Sequence, residues 1–219
     1  LLPAKYLGLY LNADELEATL RAKGWASLGG VSLLDSDAST YANQFQLWKK
    51  PGVQHALRQL SFEDDRVYLA PQCVNSYVAS LLIGLVRQTC ITLGRSCSYE
   101  TVMSHESKID DLRRAQSAGF RMYLYYIATS DVDINCRSVQ NRAALGGHAV
   151  PEDKIRARYK RSLALLPAAI RYTDRAYIFD NSTEAASSSL IAEVTEGKLI
   201  TIHSESVPAW FVHAVLDKI

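Results

Sequence analysis

The sequence contains no long apolar run, no closely spaced pair of cysteines and almost no net charge, and each absence excludes a class of protein. The apolar run from Val78 to Val86 is interrupted by Ser80 and Gly84, and it is far shorter than the roughly 20 residues that a membrane span needs. None of the four cysteines is spaced as C-x-x-C, which argues against a zinc clip. A net charge of +1 argues against a polybasic membrane binder. Because no signal peptide is recognisable, we expect a cytoplasmic protein with reduced cysteines and no membrane partner.

The charges that are present are unevenly distributed along the chain. The stretch from Arg137 to Arg175 holds nine Lys or Arg and three Asp or Glu, a local balance of +6 that leaves −5 for the remainder. Such a stretch predicts either an anion site or a solvated basic helix face. Binding of RNA through it is disfavoured, because only Tyr159 and Tyr172 interleave with its basic residues. We therefore do not expect a nucleic-acid partner.

The pattern of apolar residues predicts an α/β protein. The chain has 219 residues and is 48% hydrophobic, which is enough for one sizeable core, alone or with a small appendage. Near-continuous apolar strands that alternate with amphipathic helices indicate a mainly parallel central sheet covered on both faces. The predicted strands are residues 7–11, 96–101, 120–128 and 176–179. The predicted helices are residues 14–23, 74–93 and 106–118, followed by two more. The first of these two begins at a capping box formed by Ser130 and Asp133 and ends at Gly146-Gly147, and the second begins at Pro151 and breaks or kinks at Pro167.

Two segments depart from this alternation. Residues 25–72 are rich in turn formers, and we expect an irregular insertion with short helices there. Residues 183–219 are expected to form a small appendage. It comprises a hairpin of residues 190–195 and 198–203 around Glu196-Gly197, followed by a terminal helix from Pro208 to Asp217.

Polar side chains follow three of the predicted strands at the points where those strands end. They are Asn12-Ala13-Asp14, Tyr99-Glu100-Thr101 and Asp180-Asn181-Ser182. In parallel sheets, ligands bind beyond the carboxyl ends of the strands. Each group alone is typical of a helix cap or a turn, whereas three groups at equivalent positions predict a site with two or three carboxylates at one rim.

These blocks and two more resemble, in order and in residue type, the zeta-toxin-like family of bacterial P-loop kinases. The ordered set spans roughly residues 7–182, and its most specific member is the Gly-Gly-His-x-Val-Pro block with its flanking arginines. The matching blocks are Asn12-Ala13-Asp14-Glu15, Tyr99-Glu100-Thr101-Val102-Met103-Ser104-His105, Arg137-x-x-x-x-Arg142-x-x-x-Gly146-Gly147-His148-x-Val150-Pro151, Arg158-Tyr159-x-Arg161-Ser162-Leu163 and Ala176-Tyr177-x-Phe179-Asp180-Asn181-Ser182.

The resemblance implies a three-layer P-loop kinase-like domain over residues 1–182, with residues 183–219 as a C-terminal appendage. It implies a phosphotransferase that uses ATP and Mg²⁺ to phosphorylate a hydroxyl of a small molecule. In the founding toxins of the family this acceptor is the sugar nucleotide UDP-N-acetylglucosamine, whereas the wider family has no single known substrate. The alternative is a non-catalytic module that keeps the fold and binds a protein partner, for example an antitoxin-like protein.

The resemblance also implies roles for residues around the acceptor. Asp14 matches the family's catalytic carboxylate, which takes the proton from the acceptor hydroxyl. Glu100 and Thr101 match the strand end that binds and orients the acceptor. His105 follows this strand and is interpreted either as a residue of the acceptor pocket or as a plain turn residue.

A second group of residues would bind the nucleotide. Arg142 matches a phosphate-contacting arginine that takes part in catalysis, and Arg158 is a second candidate, since a planar guanidinium suits phosphate oxygens. Arg137 lies five residues before Arg142, about 140° away on a helix, and is expected to face solvent or an acidic neighbour. His148 is expected either to touch the nucleotide or to cap the following helix.

The sequence departs from the family in three places. The string G-x-x-x-x-G-K-[ST], whose backbone amides cradle phosphates, does not occur in these 219 residues. Because the family places this loop before the Asn-Ala-Asp block, we expect it to lie upstream of Leu1; the alternative is a lost nucleotide site. The founding toxins have Glu-Gly-Thr where this chain has Glu100-Thr101-Val102, which leaves the acceptor open. The third departure is the insertion at 25–72, which could form a lid or an acceptor-specific surface.

Overall fold

The computed structural model describes residues 7–144, 149–183 and 188–219, which form an α/β protein as the sequence predicts. The chain divides into two compact units, Leu1–Glu100 and Thr101–Ile219. A boundary near residue 182 between a kinase-like domain and an appendage stays a prediction. All four cysteines are free thiols.

The first unit is built around one long helix and several short elements. Helix α4 buries nine of its residues, and it contributes most to a core that extends from Leu11 to Cys90. Asn75 caps this helix by accepting hydrogen bonds from the backbone N–H groups of Tyr77 and Val78. The elements of this unit are β1 (Leu9–Leu11), α1 (Ala13–Lys23), β2 (Trp25–Ser27), α2 (Asp35–Gln44), a 3₁₀ turn (Leu47–Lys49), α3 (Val53–Leu57), β3 (Ser61–Glu63), β4 (Arg66–Tyr68), a second 3₁₀ turn (Pro71–Cys73), α4 (Ser76–Thr92) and β5 (Cys97–Tyr99).

Two small sheets belong to the first unit. Strands β1 and β5 form a parallel pair, and β2, β4 and β3 form an antiparallel sheet in that order. The predicted insertion therefore contains the short helices α2 and α3, as expected, together with a hairpin that the sequence analysis missed. The turn of this hairpin is Asp64-Asp65, where Asp64 has a positive φ of 53°. An aspartate pair is a weaker turn signal than Asn-Gly or Asp-Gly, which explains the omission.

Gly8 holds the start of β1 close to the residue before β5. Its φ is +60°, and a Cβ added there would lie 2.5 Å from the backbone oxygen of Ser96. Gly94 has a similar φ of +64° with open space around it. We expect Gly8→Ala to lower the free energy of unfolding by more than Gly94→Ala, which carries only the left-handed backbone cost of about 1 kcal/mol.

Urea denaturation of the two variants measures this difference directly. Because both substitutions add the same methyl group at nearly the same backbone angles, Gly94→Ala serves as the matched control. Equal losses in the two variants would show that the close approach of Gly8 to Ser96 contributes nothing to stability.

The second unit packs its helices against one four-stranded sheet. Its core comprises the inward side chains of that sheet together with residues of α5, α7 and the C-terminal helical turn. The elements are α5 (Ser107–Ser117), β6 (Tyr123–Ala128), α6 (Val132–Ala144), α7 (Glu152–Arg171), β7 (Arg175–Asp180), β8 (Ser189–Thr195), β9 (Leu199–Ile202), α8 (Ala209–Phe211) and a π-helical turn (Val212–Leu216).

The sheet of the second unit is mixed. Strands β6 and β7 pair in parallel, whereas β7, β8 and β9 pair antiparallel in the order β6-β7-β8-β9. The predicted hairpin around Glu196-Gly197 is confirmed as β8 and β9. The prediction of one mainly parallel central sheet is wrong in the described residues: the sheets are small and mixed, and β8 and β9 pair antiparallel with their neighbours.

Two local predictions need correction. Helix α7 does not break at Pro167 but continues to Arg171. A proline inside a helix removes one backbone donor and costs about 3 kcal/mol, and burial of Pro167 together with Leu166 and Ile170 offsets that cost. At α6 the capping side chain is Asp131 rather than Ser130, since Asp131 Oδ1 accepts the hydrogen bond from the N–H of Asp133. The predicted end of α6 at Gly146-Gly147 lies outside the described residues.

In the described parts of the chain, no helix is both long enough and apolar enough to cross a membrane.

Candidate functional site

The parallel pair β1–β5 places two of the three predicted polar strand ends side by side. Its register joins Leu9 to Cys97, Tyr10 to Ser98 and Leu11 to Tyr99. The next residue after each strand is Asn12 on one and Glu100 on the other. The short apolar strand residues Leu9 and Leu11 pack toward the core, so Tyr10 between them lies on the opposite face.

A chain of hydrogen bonds connects these strand ends. The hydroxyl of Tyr10 donates to Glu100 Oε1 at 2.7 Å, and Asn12 Nδ2 donates to the Tyr10 hydroxyl at 3.1 Å. The hydrogen bond to Glu100 raises the pKa of Tyr10 above its ordinary value, so the phenol stays protonated and keeps donating. Glu100 is thereby held in one orientation at an exposed edge.

Asp14 lies in the first turn of α1, directly beyond this edge. Asn12 caps the helix, because its Oδ1 accepts from the N–H groups of Asp14 at 2.9 Å and Glu15 at 3.2 Å. The Asp14 side chain is exposed and makes no hydrogen bond or ion pair with any residue that the structure describes. Asn12 therefore connects the helix start that carries Asp14 with the hydroxyl that holds Glu100.

Thr101 and His105 belong to the start of the second unit. The hydroxyl of Thr101 accepts from the N–H of Met103, a buried residue with a positive φ of 51°. His105 Nδ1 lies 3.2 Å from the N–H of Ser107 and 3.0 Å from its hydroxyl, at the start of α5. Both side chains are exposed, and both take part in local turn contacts; a role in acceptor binding stays a prediction for each.

The predicted phosphate-binding arginines lie on two helices of the second unit. Arg142 is in the last turn of α6 and Arg158 is on α7, and both are exposed without a hydrogen bond or ion pair to the described residues. The guanidinium of neighbouring Arg156 forms ion pairs with Glu152 and Asp133, so it is already neutralised. Arg161 donates to the backbone oxygen of Ser104 at 3.0 Å. The two predicted phosphate-binding arginines, Arg142 and Arg158, therefore have guanidinium groups that no described residue pairs with.

His148, the third predicted nucleotide-binding residue, lies outside the described residues. Arg137 is exposed on α6, as expected for a residue that faces solvent.

The third polar strand end, in the second unit, is occupied by structural hydrogen bonds. Asp180 Oδ1 accepts from Ser182 Oγ at 2.6 Å and from Trp210 Nε1 at 3.0 Å. Ser182 Oγ in turn accepts from the N–H of Ser130 at 2.6 Å. This network ties the ends of β6 and β7 to the C-terminal helical segment, which is the ordinary structural use of such a carboxylate.

Sequence reasoning missed two residues that organise these strand ends. Tyr10 was interpreted only as part of a buried strand, and Trp210 only as part of a terminal helix. The alternation of Leu9, Tyr10 and Leu11 is a signal that Tyr10 faces away from the core. No sequence signal links Trp210 to Asp180.

Comparison with known proteins does not show a family for this chain. No family profile matches it, and no solved structure matches it significantly. An uncharacterised protein of Haemophilus influenzae is 35% identical over 60 residues. That match covers 27% of this chain and 43% of the relative, so it spans less than half of the relative's length. The class that the structure itself defines is an α/β protein with small mixed sheets.

Proposed function

We propose that the chain is part of an ATP-dependent kinase of the zeta-toxin-like type, which phosphorylates a hydroxyl group of a small molecule. A sugar nucleotide such as UDP-N-acetylglucosamine is the candidate acceptor. The observation that carries the proposal is the arrangement at the β1–β5 edge. The Tyr10 hydroxyl donates to Glu100 Oε1 at 2.7 Å, and Asn12 joins this pair to the first turn of α1, where no described residue pairs with the Asp14 carboxylate.

This arrangement suits the acceptor side of a phosphoryl transfer. An ionised carboxylate within hydrogen-bond reach of a hydroxyl can take its proton as the hydroxyl attacks. Asp14 fits that role because no described residue neutralises it. Glu100 accepts a hydrogen bond from Tyr10 on one oxygen, and its other oxygen is available to orient a hydroxyl of the acceptor. Asp14 would thus act as the base and Glu100 as the group that positions the acceptor.

The donor side does not fit equally well. ATP and Mg²⁺ are implied by the resemblance, but the sequence contains no G-x-x-x-x-G-K-[ST] string. The described residues also contain no group of three or more His, Cys, Asp or Glu side chains that could hold a metal ion. Arg142 and Arg158 are suited to phosphate oxygens, yet two arginines do not make a nucleotide site. We therefore assign residues of this chain to the acceptor half of the reaction and derive no step on the donor side.

A second candidate function requires no phosphate-binding string, and none occurs in these 219 residues. A protein that keeps the fold without this string can serve as a non-catalytic module that binds a protein partner such as an antitoxin. The two candidates differ in one measurable property, which is the binding of nucleotide.

Calorimetric titration of Mg·ATP into the protein is the first experiment, followed by transfer of labelled phosphate to a panel of sugar nucleotides that includes UDP-N-acetylglucosamine. The proposal predicts saturable binding of Mg·ATP and a phosphorylated acceptor that depends on both substrates. A protein that neither binds Mg·ATP nor labels any member of the panel would overturn the kinase proposal and support the interaction module.

A further inference from the structure

The first unit contains a long stretch without negative charge. From Ala38 to Phe62 the sequence has no Asp or Glu, whereas it has Lys49, Lys50 and Arg58 together with His55. In a chain whose total charge is only +1, this segment is a local excess of positive charge. The kinase proposal makes no use of it.

The structure folds this segment around two adjoining cavities. One has a volume of about 590 Å³ and is lined by Trp48, Lys49, Lys50, His55 and Arg58. The other has about 380 Å³ and adds the uncharged Ser39, Asn43 and Leu57 to residues that it shares with the first. Both cavities are wide open to solvent, and their volumes lie in the range of small-molecule sites.

Three side chains form the border between the two cavities. Trp48, Gln54 and Arg58 line both of them. A ligand that spans this border would place one part near Lys49 and Lys50 in the first cavity and another near the uncharged Ser39, Asn43 and Leu57 in the second, with Arg58 between them. The Trp48 ring, 38% exposed, would lie against the ligand between these parts.

The positive charges around the first cavity have no counter-ion in the described structure. Lys49 Nζ donates to Gln46 Oε1 at 2.8 Å and lies 5.5 Å from the centre of the Trp48 ring, and Lys50 Nζ lies 5.8 Å from the centre of the Tyr77 ring. No described carboxylate forms an ion pair with Lys49, Lys50 or Arg58. Their charge is therefore available to an anion.

The acidic residues nearest to this segment in the sequence do not neutralise Lys49, Lys50 or Arg58. Asp37 Oδ2 accepts from the backbone N–H of Leu34 at 2.7 Å, so it serves the start of α2. Glu63 lies on β3 and forms no ion pair in the described residues.

Buried residues fix the wall of the first cavity. Val53 and Ala56 of α3 are almost completely buried, so the exposed His55 and Arg58 are carried by an anchored helix turn. Gly52, at the start of α3, approaches Asn75 of the α4 cap so closely that a Cβ there would lie 2.7 Å from Asn75 Nδ2. The helix turn that carries His55 and Arg58 is therefore held against the core of the unit, as a preformed site requires.

We infer that this double cavity binds a small phosphate ester. The phosphate lies among Lys49, Lys50 and Arg58, the ring of the ligand packs on Trp48, and its neutral hydroxyl-bearing part lies near Ser39, Asn43 and Gln54. Guanidinium and ammonium groups bind phosphate oxygens, and an aromatic face accepts either a base or a sugar ring. The inference does not rest on the proposed kinase activity, because it concerns binding alone.

Isothermal titration calorimetry with five probes tests the inference. The probes are uridine monophosphate, glucose 1-phosphate, inorganic phosphate, uridine and glucose. We expect at least one of the two esters to bind more tightly than inorganic phosphate and than its own neutral part. The ester that binds more tightly tells whether the second cavity takes a nucleoside or a sugar. Esters that bind no better than inorganic phosphate would overturn the inference.

Arg58→Ala is the decisive variant, and Arg66→Ala is its matched control. Both arginines are exposed in the first unit, and Arg66 lies over the ring of Trp25 at 4.9 Å, outside the double cavity. We expect Arg58→Ala to weaken binding of the ester about tenfold to a hundredfold, because hydrogen bonds to charged groups are lost, and Arg66→Ala to leave it unchanged. Equal effects of the two substitutions would show that the ester binds by general charge attraction, and this too would overturn the inference.

Asp14→Asn separates this inference from the kinase proposal. The variant should bind the ester in the double cavity as wild type does, whatever its transfer activity. Loss of ester binding in Asp14→Asn would place the ester at the β1–β5 edge and contradict the inference, whereas inactive protein with intact ester binding would contradict only the kinase proposal.

Discussion

Replacement of Asp14 by Asn is expected to lower the rate of acceptor phosphorylation by about 10²- to 10⁴-fold. The side chains have the same shape, but the amide cannot take a proton from the acceptor hydroxyl. The hydrogen bond from the backbone N–H of residue 14 to Asn12 Oδ1 does not involve the side chain, so the start of α1 is retained. The measurement is the steady-state rate of phosphate transfer, with kcat and KM determined separately.

Glu15→Gln is the control for this experiment. Glu15 occupies the same first turn and is also exposed, so either substitution removes one negative charge from the positive end of α1, at a cost of about 0.3–1 kcal/mol. A catalytic role for Asp14 predicts loss of kcat in Asp14→Asn and near-normal kcat in Glu15→Gln, with similar thermal stability in both. Full activity of Asp14→Asn would exclude Asp14 as the base.

Truncation of Phe211 to Ala is expected to cost the protein about 3–5 kcal/mol of unfolding free energy. Phe211 is completely buried in the core of the second unit, and its ring packs nearly perpendicular to that of Trp210 with the ring centres 5.9 Å apart. Its removal leaves a cavity under the sheet. For a protein of this size the midpoint of thermal unfolding should fall by on the order of 10 °C, which calorimetry or circular dichroism can follow.

Leu216→Ala provides the matched comparison in the same C-terminal segment. Leu216 is 39% exposed, and its truncation should change the unfolding free energy by no more than about 1 kcal/mol. The difference in unfolding free energy between the two variants measures burial rather than helix propensity, since alanine is the new residue in both. Equal losses in the two variants would mean that the C-terminal segment does not contribute Phe211 to a packed core.

Much of the secondary structure could be predicted because its signals are local. Gly24 and Gly119 follow the helices that the sequence analysis ends there, with φ values of 74° and 82°. The Glu196-Gly197 turn and the alternation on either side of it predict the β8–β9 hairpin correctly. Pro167 shows the limit of such rules, since this residue is buried and the helix continues through it to Arg171.

The candidate site was predictable only where it depends on the ends of neighbouring strands. Asn12 and Glu100 were expected at one rim, and the parallel register of β1 and β5 places them there. The alternation of Leu9, Tyr10 and Leu11 signals that Tyr10 faces away from the core, but the hydrogen bond from its hydroxyl to Glu100 depends on tertiary structure. Asp180 was expected at the same rim, but its carboxylate is bound to Trp210, a contact that depends entirely on tertiary structure.

The stacked rings of Tyr125 and Tyr177 provide a spectroscopic signal for the pairing of β6 with β7. Their centres are 4.9 Å apart and their planes differ by 16°, on neighbouring parallel strands. A slip of one residue would turn Tyr125 to the other face and abolish the stack. Coupling between the two phenol chromophores in near-ultraviolet circular dichroism would therefore arise only when this register is complete. Because the chain between β6 and β7 includes α6 and α7, the circular-dichroism signal of the tyrosine pair should develop later in refolding than the local pairing of β8 with β9.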